Sequence, residues 1–241
     1  MTSDLPTPAR ALAIGAHPDD VEFGCGGTLA KWAAAGCEIA HLICTDGSKG
    51  SWDPADDPAT LVASRQVEQR AASVALGGSG SVVFLGWRDG ELESGLRQRA
   101  DVCHWIRTLR PDVVLGHDPW KRYRLHPDHR HAGFLAVEGI VAARDPHFFP
   151  EQGKAPHRPS HLLLWEADEP DHMEDIGAGI DRKLAALLEH RSQYRTTMDI
   201  DDPSSDEQAE RFRDKIRQRH ADAGRDRGVA YGERFKLLSK L

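Results

Sequence analysis

Five short and almost continuously apolar stretches recur along the chain and predict buried β-strands. Between them, apolar side chains return every three or four residues, which is typical of amphipathic helices. The predicted strands cover 11–17, 39–47, 81–87, 112–118 and 161–167, and the predicted helices cover 28–36, 57–76, 92–109, 127–144 and 179–194. Strands that are apolar on both faces and alternate with helices are typical of a covered parallel sheet. The pattern therefore predicts a three-layer, Rossmann-like α/β fold with a mostly parallel sheet.

The rest of the pattern contains no internal repeat and no low-complexity linker, so we expect a single domain over residues 1–241. The proline-containing segment 145–160 has no helical or strand period and predicts a long surface loop. Residues 204–228 are dense in charges of both signs, and Ser204 with Glu207 fits a helix capping box. This segment predicts a helix with a solvated face rather than a nucleic-acid-binding patch.

Composition narrows the classes of function. The 31 Lys and Arg residues are outnumbered by 38 Asp and Glu residues, which gives a net charge of −7. Nucleic acids are bound by an excess of basic side chains, so this balance disfavours a nucleic-acid partner. No apolar stretch approaches the roughly 20 residues of a membrane span, and the first residues lack the apolar region of a signal peptide. The four cysteines form no CxxC pair, which disfavours a zinc ribbon and a disulfide scaffold. We therefore expect a cytoplasmic protein with reduced thiols.

Ionisable side chains follow the predicted strands at the point where each strand ends. In parallel sheets these ends share one edge, where ligands bind. The residues concerned are His17 to Asp20 after the first strand, 45–48 after the second, 86–90 after the third, and His117, Asp118 and 126–129 after the fourth. We therefore expect a catalytic site at this edge of the sheet.

The spacing of these residues suggests a metal site. His17 and Asp20 are three residues apart across a turn, so that an imidazole and a carboxylate can reach one ion, while Asp19 stays free for proton transfer. His126 and His129 lie at positions i and i+3 of a predicted helix start, and one of them can complete a His-Asp-His set. Three protein ligands with an open position are typical of catalytic rather than structural zinc.

The motifs as a whole resemble the PIG-L/LmbE-like family of zinc-dependent N-deacetylases. The resemblance rests on His17-Pro18-Asp19-Asp20 with the glycine-containing continuation to Thr28, and on His126-Pro127-Asp128-His129. Further matches, in family order, are 45–47, Arg65 with Glu68, 86–92, 190–193 and 231–235. The matches extend from about residue 11 to residue 235, which is nearly the whole chain.

The resemblance implies a role for each matched residue. It implies that one Zn²⁺ per chain is held by three ligands, namely His17, Asp20 and His129. Iron or cobalt would also suit a site of this composition. Asp19 resembles the general base, His126 the residue that stabilises the oxyanion, and Asp128 the carboxylate that orients His126.

Arg65 and Asp89 match sugar-binding positions of the family, and each has a plainer alternative. Arg65 can pair with Glu68 on the helix surface, and Asp89 can cap a turn. The roles of Tyr123 and His190 stay open. Substrate specificity is expected from loops 49–60, 118–125 and 145–160.

The implied activity is hydrolysis of an N-acetyl group on a small amino sugar or its conjugate, in a family that often forms homo-oligomers. An amidase acting on a thiol-conjugated sugar and a non-catalytic sugar-binding module are the alternatives. A dinucleotide-binding oxidoreductase is disfavoured, because Gly15-Ala16-His17-Pro18 stands where its GxGxxG fingerprint is needed.

Overall fold

The computed structural model describes residues 2–79 and 81–241, in which one mixed sheet is covered by helices on both faces. The strands are β1 Thr2–Ser3, β2 Arg10–Gly15, β3 Glu38–Thr45, β4 Val82–Trp87, β5 Val113–His117, β6 His161–Trp165, β7 His172–Asp175 and β8 Gly232–Ser239. The helices are α1 Asp20–Ala34, α2 Pro58–Ala75, α3 Leu96–Leu109, α4 Pro127–Arg144, α5 Ile180–Leu187, α6 Tyr194–Thr197 and α7 Asp206–Gly224. The predicted α/β class is confirmed.

The eight strands lie in the order β1-β7-β8-β6-β5-β2-β3-β4. All pairs are parallel except the two that β8 makes with β6 and β7. The five predicted strands correspond to β2 to β6, so the mostly parallel sheet is also confirmed. The apolar pattern missed the other three strands. Strand β1 has only two residues, and the sequences of β7 and β8, HMED and GERFKLLS, contain several charged residues.

Side chains of β2 alternate between two apolar cores, one on each face of the sheet. Ala11 and Ala13 belong to the core that includes side chains of α1 and α2. Leu12 and Ile14 belong to the core that includes side chains of α3 and α4. Burial on both faces explains why the strand reads as continuously apolar, and it gives the three layers that the sequence predicts.

Helix α1 begins at Asp20, eight residues before the predicted start at residue 28. Its glycines masked the helical pattern, and two of them permit close packing. A Cβ at Gly24 would lie 2.6 Å from the Trp165 ring, and a Cβ at Gly27 would lie 2.7 Å from Ile176. The helix therefore approaches the sheet closely, and the motif that follows β2 forms its first turn.

Two helix ends also differ from the prediction. The predicted helix 179–194 ends as α5 at Leu187, and a short 3₁₀ turn and α6 follow it. Helix α7 is capped by Ser205, whose hydroxyl accepts the amide of Gln208 at 3.3 Å, whereas the hydroxyl of Ser204 donates to Asp202. The predicted capping box is therefore wrong by one residue.

All four cysteines are buried and unpaired. Within the part of the chain that the structure describes, no helix combines the length and the apolar composition needed to cross a membrane.

Candidate active site

The candidate site lies between β2 and β5, where the chain, after adding β3 and β4 on one side of β2, crosses over to add β5 on the other side. Strand β2 pairs with β3 on one side and with β5 on the other, so the carboxyl ends of β2 and β5 flank a crevice. A cavity of about 450 Å³ opens there. Seven of the eight predicted site residues line it, namely His17, Asp19, Asp20, Arg65, Asp89, His126 and His129. The eighth, Asp128, is buried behind it.

Asp20 lies between the two histidines that were predicted to share an ion with it. Its Oδ2 is 3.4 Å from Nδ1 of His17, and its Oδ1 is 3.2 Å from Nε2 of His129. Burial by itself would raise the pKa of Asp20, but His129 and His117 outweigh that effect and hold the pKa well below its usual range. A carboxylate that stays ionised between two imidazoles has the donor atoms of a divalent metal site.

Two combinations of side chains bring three donor atoms within 4.8 Å of one another. One consists of His17, Asp20 and His129, and the other of His17, Asp89 and His126. His17 belongs to both combinations, and Asp20 and Asp89 are both buried. The two combinations differ in the remaining histidine, since His126 is exposed whereas His129 is partly buried.

Two carboxylates contact the Nε2 atom of the His17 ring. Its Nε2 lies 3.2 Å from Oδ1 of Asp89 and 3.2 Å from Oδ2 of Asp128. This leaves Nδ1 directed at Asp20. Metal-binding histidines are commonly oriented in this way, with the second ring nitrogen on a carboxylate.

Asp128 was predicted to orient His126, but its contacts differ from that prediction. Besides His17 it accepts the amides of Gly90 at 2.6 Å and Leu92 at 3.2 Å. The described bonds of Asp128 do not include His126. The reason is positional, since Asp128 is inside the first turn of α4 and faces the 90–92 loop, whereas His126 precedes that helix on the exposed rim.

His117 is a site residue that the sequence motifs did not assign. Its Nδ1 accepts hydrogen bonds from Nε1 of Trp165 at 3.0 Å and from the guanidinium of Arg124 at 3.1 Å. Two donors on Nδ1 place the proton on Nε2, which lies 3.2 Å from Oδ2 of Asp20 without the alignment of a hydrogen bond. Burial lowers the pKa of His117 to about 4. The only sequence signal was its position at the end of β5, beside β2.

Asp19 has a backbone conformation that non-glycine residues rarely adopt, with φ of 108°. Its amide donates to Oε1 of Gln69 at 2.9 Å, and its carboxylate lies 3.6 Å from the guanidinium of Arg65. Burial raises the pKa of Asp19 to about 6, while Arg65 acts in the opposite direction. The strained turn thus directs a carboxyl group of raised basicity into the cavity.

Gln69 belongs to a fully buried polar network behind Asp19. Its Nε2 donates to Oε1 of Glu22 at 2.8 Å and lies 3.2 Å from Nδ1 of His41. The other oxygen of Glu22 lies 3.1 Å from Nε2 of His190. His190, whose role the sequence left open, is therefore buried in this network and does not line the cavity.

Arg65 forms part of the cavity wall. It donates to the carbonyl of Gly47 at 3.0 Å and to that of Pro18 at 2.6 Å, which ties it to the loops after β3 and β2. The alternative pairing with Glu68 is not formed, because Glu68 accepts the amide and hydroxyl of Ser192 instead.

The sequence allowed two roles for Asp89, capping a turn and contacting the substrate, and its position is compatible with both. It accepts the amide of Lys49 at 2.9 Å, as a turn cap would, and it also faces the cavity beside His17. Burial by itself would raise the pKa of Asp89, but the hydrogen bond from His17 outweighs burial and lowers it to about 2.

The rim of the cavity contains His126, whose ring centre lies 4.6 Å from that of His17 and 4.8 Å from that of His129. Although His126 is exposed to solvent, desolvation by the groups around its ring and the charge of His17 lower its pKa, which favours a neutral imidazole rather than the protonated form. Tyr123 is 94% exposed and lies outside the lining. Of the three loops expected to set specificity, only 49–60 contributes lining residues, among them Trp52.

Comparison with known proteins identifies relatives along most of the chain. Residues 12–140 match the family described as PIG-L, GlcNAc-PI de-N-acetylase. A diacetylchitobiose deacetylase from Thermococcus kodakarensis is 35% identical over 188 residues, which cover 77% of this chain and 70% of that protein. A 1D-myo-inositol 2-acetamido-2-deoxy-alpha-D-glucopyranoside deacetylase from Streptomyces avermitilis is 31% identical, with 62% of this chain and 58% of that protein covered.

A solved structure is similar over nearly the entire fold. The N,N'-diacetylchitobiose deacetylase from Pyrococcus horikoshii, in complex with an inhibitor, superimposes with a TM-score of 0.85 at 32% identity. The alignment covers 96% of this chain and 84% of that one.

Proposed function

The chain belongs to the PIG-L family of de-N-acetylases, and we propose that it is a metal-dependent hydrolase that removes an N-acetyl group from an amino sugar or its conjugate. The observation that carries the proposal is the geometry around Asp20. Three candidate metal ligands converge there, and the carboxyl group of Asp19 faces the same cavity. Hydrolysis of an unreactive amide by a metal-activated water uses a metal ion and a base in one place.

The residues present fit a Zn²⁺ ion held by His17, Asp20 and His129, one ion per chain. Two imidazoles and one carboxylate are zinc-binding groups, and three protein ligands leave a position open for water. The two carboxylates on Nε2 of His17, and Nε2 of His117 lying 3.2 Å from Oδ2 of Asp20, support the same assignment because they orient the proposed ligands. When bound, the ion would lower the pKa of water from 15.7 to about 7 and polarise the amide carbonyl.

Asp19 then acts as the base. Its carboxylate accepts a proton from the attacking water while the water oxygen bonds to the carbonyl carbon. His126, on the rim beside His17 and His129, donates a hydrogen bond to the carbonyl oxygen as negative charge develops there. Asp19 returns the proton to the nitrogen as the carbon–nitrogen bond breaks, which yields acetate and a free amine.

Arg65 and Asp89 are proposed to contact sugar hydroxyls, because both line the cavity. A non-catalytic sugar-binding module would not need Asp19 beside a complete set of ligands. No observation favours an amidase for thiol conjugates. A cytoplasmic location and a homo-oligomer stay predictions.

The test is release of acetate from N,N'-diacetylchitobiose together with the metal content of the purified protein. We expect about one zinc per chain, and we expect His129→Ala to lose it. The matched control is His131→Ala on the same helix, which should retain the zinc. Full zinc occupancy in His129→Ala would remove His129 from the ligand set, and loss of zinc from His126→Ala would favour the second combination.

Asp19→Asn tests the proposed base separately from the metal. The variant should keep its zinc but lose at least about a hundredfold in turnover, as expected when a general base is removed. Acetate release near the wild-type rate would refute the role of Asp19.

A further inference from the structure

Lys183 and Glu233 form an ion pair in the interior of the protein, outside the lining of the cavity. Nζ of Lys183, on α5, lies 2.7 Å from Oε1 of Glu233, on β8, and the two side chains are 0% and 1% exposed. Burying two charges is costly unless further hydrogen bonds satisfy them. Glu233 also belongs to the segment 231–235, which matched the family in sequence but has received no role. The further bonds of this pair therefore indicate what it does.

The ion pair lies at a break in helix α1. The backbone at Cys25 is not helical, with φ of −147° and ψ of 17°. In a regular α-helix the amide of Gly27 donates to the carbonyl of Phe23. Here the amide of Gly27 donates to Oε1 of Glu233 at 2.9 Å. The carbonyl of Phe23 accepts a hydrogen bond from Nζ of Lys183 at 2.8 Å. The ion pair thus occupies the position of one peptide hydrogen bond of the helix and bridges the break.

Glu233 also caps the part of α1 that follows the break. Its Oε2 accepts the amide of Thr28 at 2.8 Å and the hydroxyl of Thr28 at 2.6 Å. Burial by itself would raise the pKa of Glu233, but Lys183 outweighs burial and lowers it, so the group stays a carboxylate. A Cβ at Gly27 would lie 3.1 Å from Oε1 of Glu233, so the glycine leaves room for this close approach. One carboxylate therefore holds the start of segment 26–34, while the ammonium group of Lys183 holds the end of segment 20–24.

The two segments of α1 have different tasks. Segment 26–34 is anchored in the apolar core by side chains such as Leu29 and Trp32. Segment 20–24 carries Asp20, the central ligand of the candidate metal site, and its Phe23 and Gly24 line the cavity. Because a non-helical residue joins them, the direction of the first segment is not set by a continuous ladder of helical hydrogen bonds. The contacts that span the break must set it.

We propose that Lys183 and Glu233 are positioning residues, which hold segment 20–24 of α1 in the orientation that brings Asp20 to the metal site. The inference rests on the proposed function, since it takes Asp20 as a metal ligand. Without the pair, the amide of Gly27 is free to bond to the carbonyl of Phe23. The helix then straightens at the break, and Asp20 changes direction relative to the histidines beside it.

The test is the double variant Lys183→Met/Glu233→Gln, which keeps the approximate size of both side chains and leaves no unpaired buried charge. Its zinc affinity, measured by competition with a chelator, should fall about tenfold, as expected when the support of a ligand is lost. The matched control is Lys31→Met/Glu174→Gln. It removes another ion pair of α1, in which Lys31 of the last turn contacts the buried Glu174.

The control separates positioning from stability. Both double variants should lower the free energy of unfolding, but the control should keep the wild-type zinc affinity. A purely structural ion pair would behave like the control. A folded Lys183→Met/Glu233→Gln protein that binds zinc as tightly as the wild type therefore overturns the proposal.

Hydrogen exchange of residues 19–28, measured on zinc-free protein, separates this proposal from the proposed function. Faster exchange there in Lys183→Met/Glu233→Gln than in the control supports the positioning role even if the wild type binds no zinc and releases no acetate. That failure would refute only the metal-dependent deacetylase. Exchange equal to that of the control overturns the positioning role.

Thr28→Val replaces the double variant if the latter does not fold. It removes only the hydroxyl that donates to Glu233 and keeps the ion pair. We expect faster exchange over residues 19–28 and a smaller loss of zinc affinity in the same direction. Wild-type exchange together with wild-type zinc affinity in Thr28→Val would then overturn the proposal.

Discussion

Replacing Gln69 by leucine tests whether the strained turn at Asp19 has a catalytic purpose. Gln69 is fully buried on α2, and its Oε1 is the acceptor for the amide of Asp19. Leucine is similar in volume to glutamine but cannot accept this hydrogen bond. The substitution therefore releases the backbone of Asp19 while it leaves the carboxyl group, the three proposed metal ligands and the apolar cores in place.

The expected size of the effect follows from the backbone conformation. A non-glycine residue with φ of 108° carries strain of about 1–3 kcal/mol, which only surrounding contacts can maintain. If the turn relaxes when its amide loses the Gln69 oxygen, the competent orientation of Asp19 becomes less populated by the same free energy. At 25 °C this corresponds to a loss in kcat of roughly 5-fold to 150-fold.

Stability should fall as well. The Asp19 amide and one oxygen of Glu22 lose buried partners, each worth about 1–3 kcal/mol when left unsatisfied. The free energy of unfolding from urea titration should therefore decrease by a few kcal/mol. Gln66→Leu is the matched control, since Gln66 is on the same helix but its side chain is not part of the network behind Asp19.

The assay is acetate release from N,N'-diacetylchitobiose, with kcat and KM measured separately and zinc content determined on the same preparation. A folded Gln69→Leu protein with full zinc and a kcat within twofold of the wild type would refute the reasoning. Loss of zinc in proportion to the loss of activity would refute it equally, because Gln69 would then act on the metal rather than on Asp19.

Two further predictions concern histidines that the motifs left unassigned. His117→Phe keeps a ring at that position but removes the nitrogen facing Asp20, so the zinc affinity, measured by competition with a chelator, should fall about 10–100-fold. The control His104→Phe should keep the wild-type affinity, and an unchanged affinity in His117→Phe would contradict the prediction. For His190, burial alone would lower the pKa from 6.5, but Glu22 outweighs burial and raises it, so its stabilising effect is present below pH 6.5 and lost as pH rises through the raised value. Burial alone would raise the pKa of Glu22 from 4.5, but His190 outweighs burial and lowers it, so its effect is present above pH 4.5 and lost as pH falls through the lowered value. The difference in free energy of unfolding between the wild type and His190→Gln should therefore be largest between pH 4.5 and 6.5, and a difference that grows towards pH 9 would refute the pairing.

The apolar pattern predicted most of the sheet because the strands concerned are buried on both faces. A strand such as β2 must be apolar at every buried position when helices cover both sides, and that requirement is visible in one sequence. The same reasoning fails for β8, which contains three charged residues among its apolar ones and joins the sheet antiparallel. Its place is set by contacts with β6 and β7, which are distant in the sequence.

Part of the candidate site was predictable for a related reason. The residues from His17 to Asp20 lie within one turn, and His126 and His129 lie within another, so local spacing already restricts where their side chains can point. The orientation of Asp128 could not be read in this way. Whether it faces His126 or His17 depends on how α4 packs against the 90–92 loop.

The sequence alone thus determined the layered α/β fold, the edge of the sheet at which ionisable side chains collect, and the two short motifs that place them there. Only the tertiary structure decided the groups that act from a distance in sequence. His117 faces Asp20 across neighbouring strands, and Gln69 of α2 accepts the backbone amide of the Asp19 turn. The physical reason is separation along the sequence. Local spacing constrains only residues that are neighbours in the chain, whereas these contacts form only after the sheet and its helices have packed.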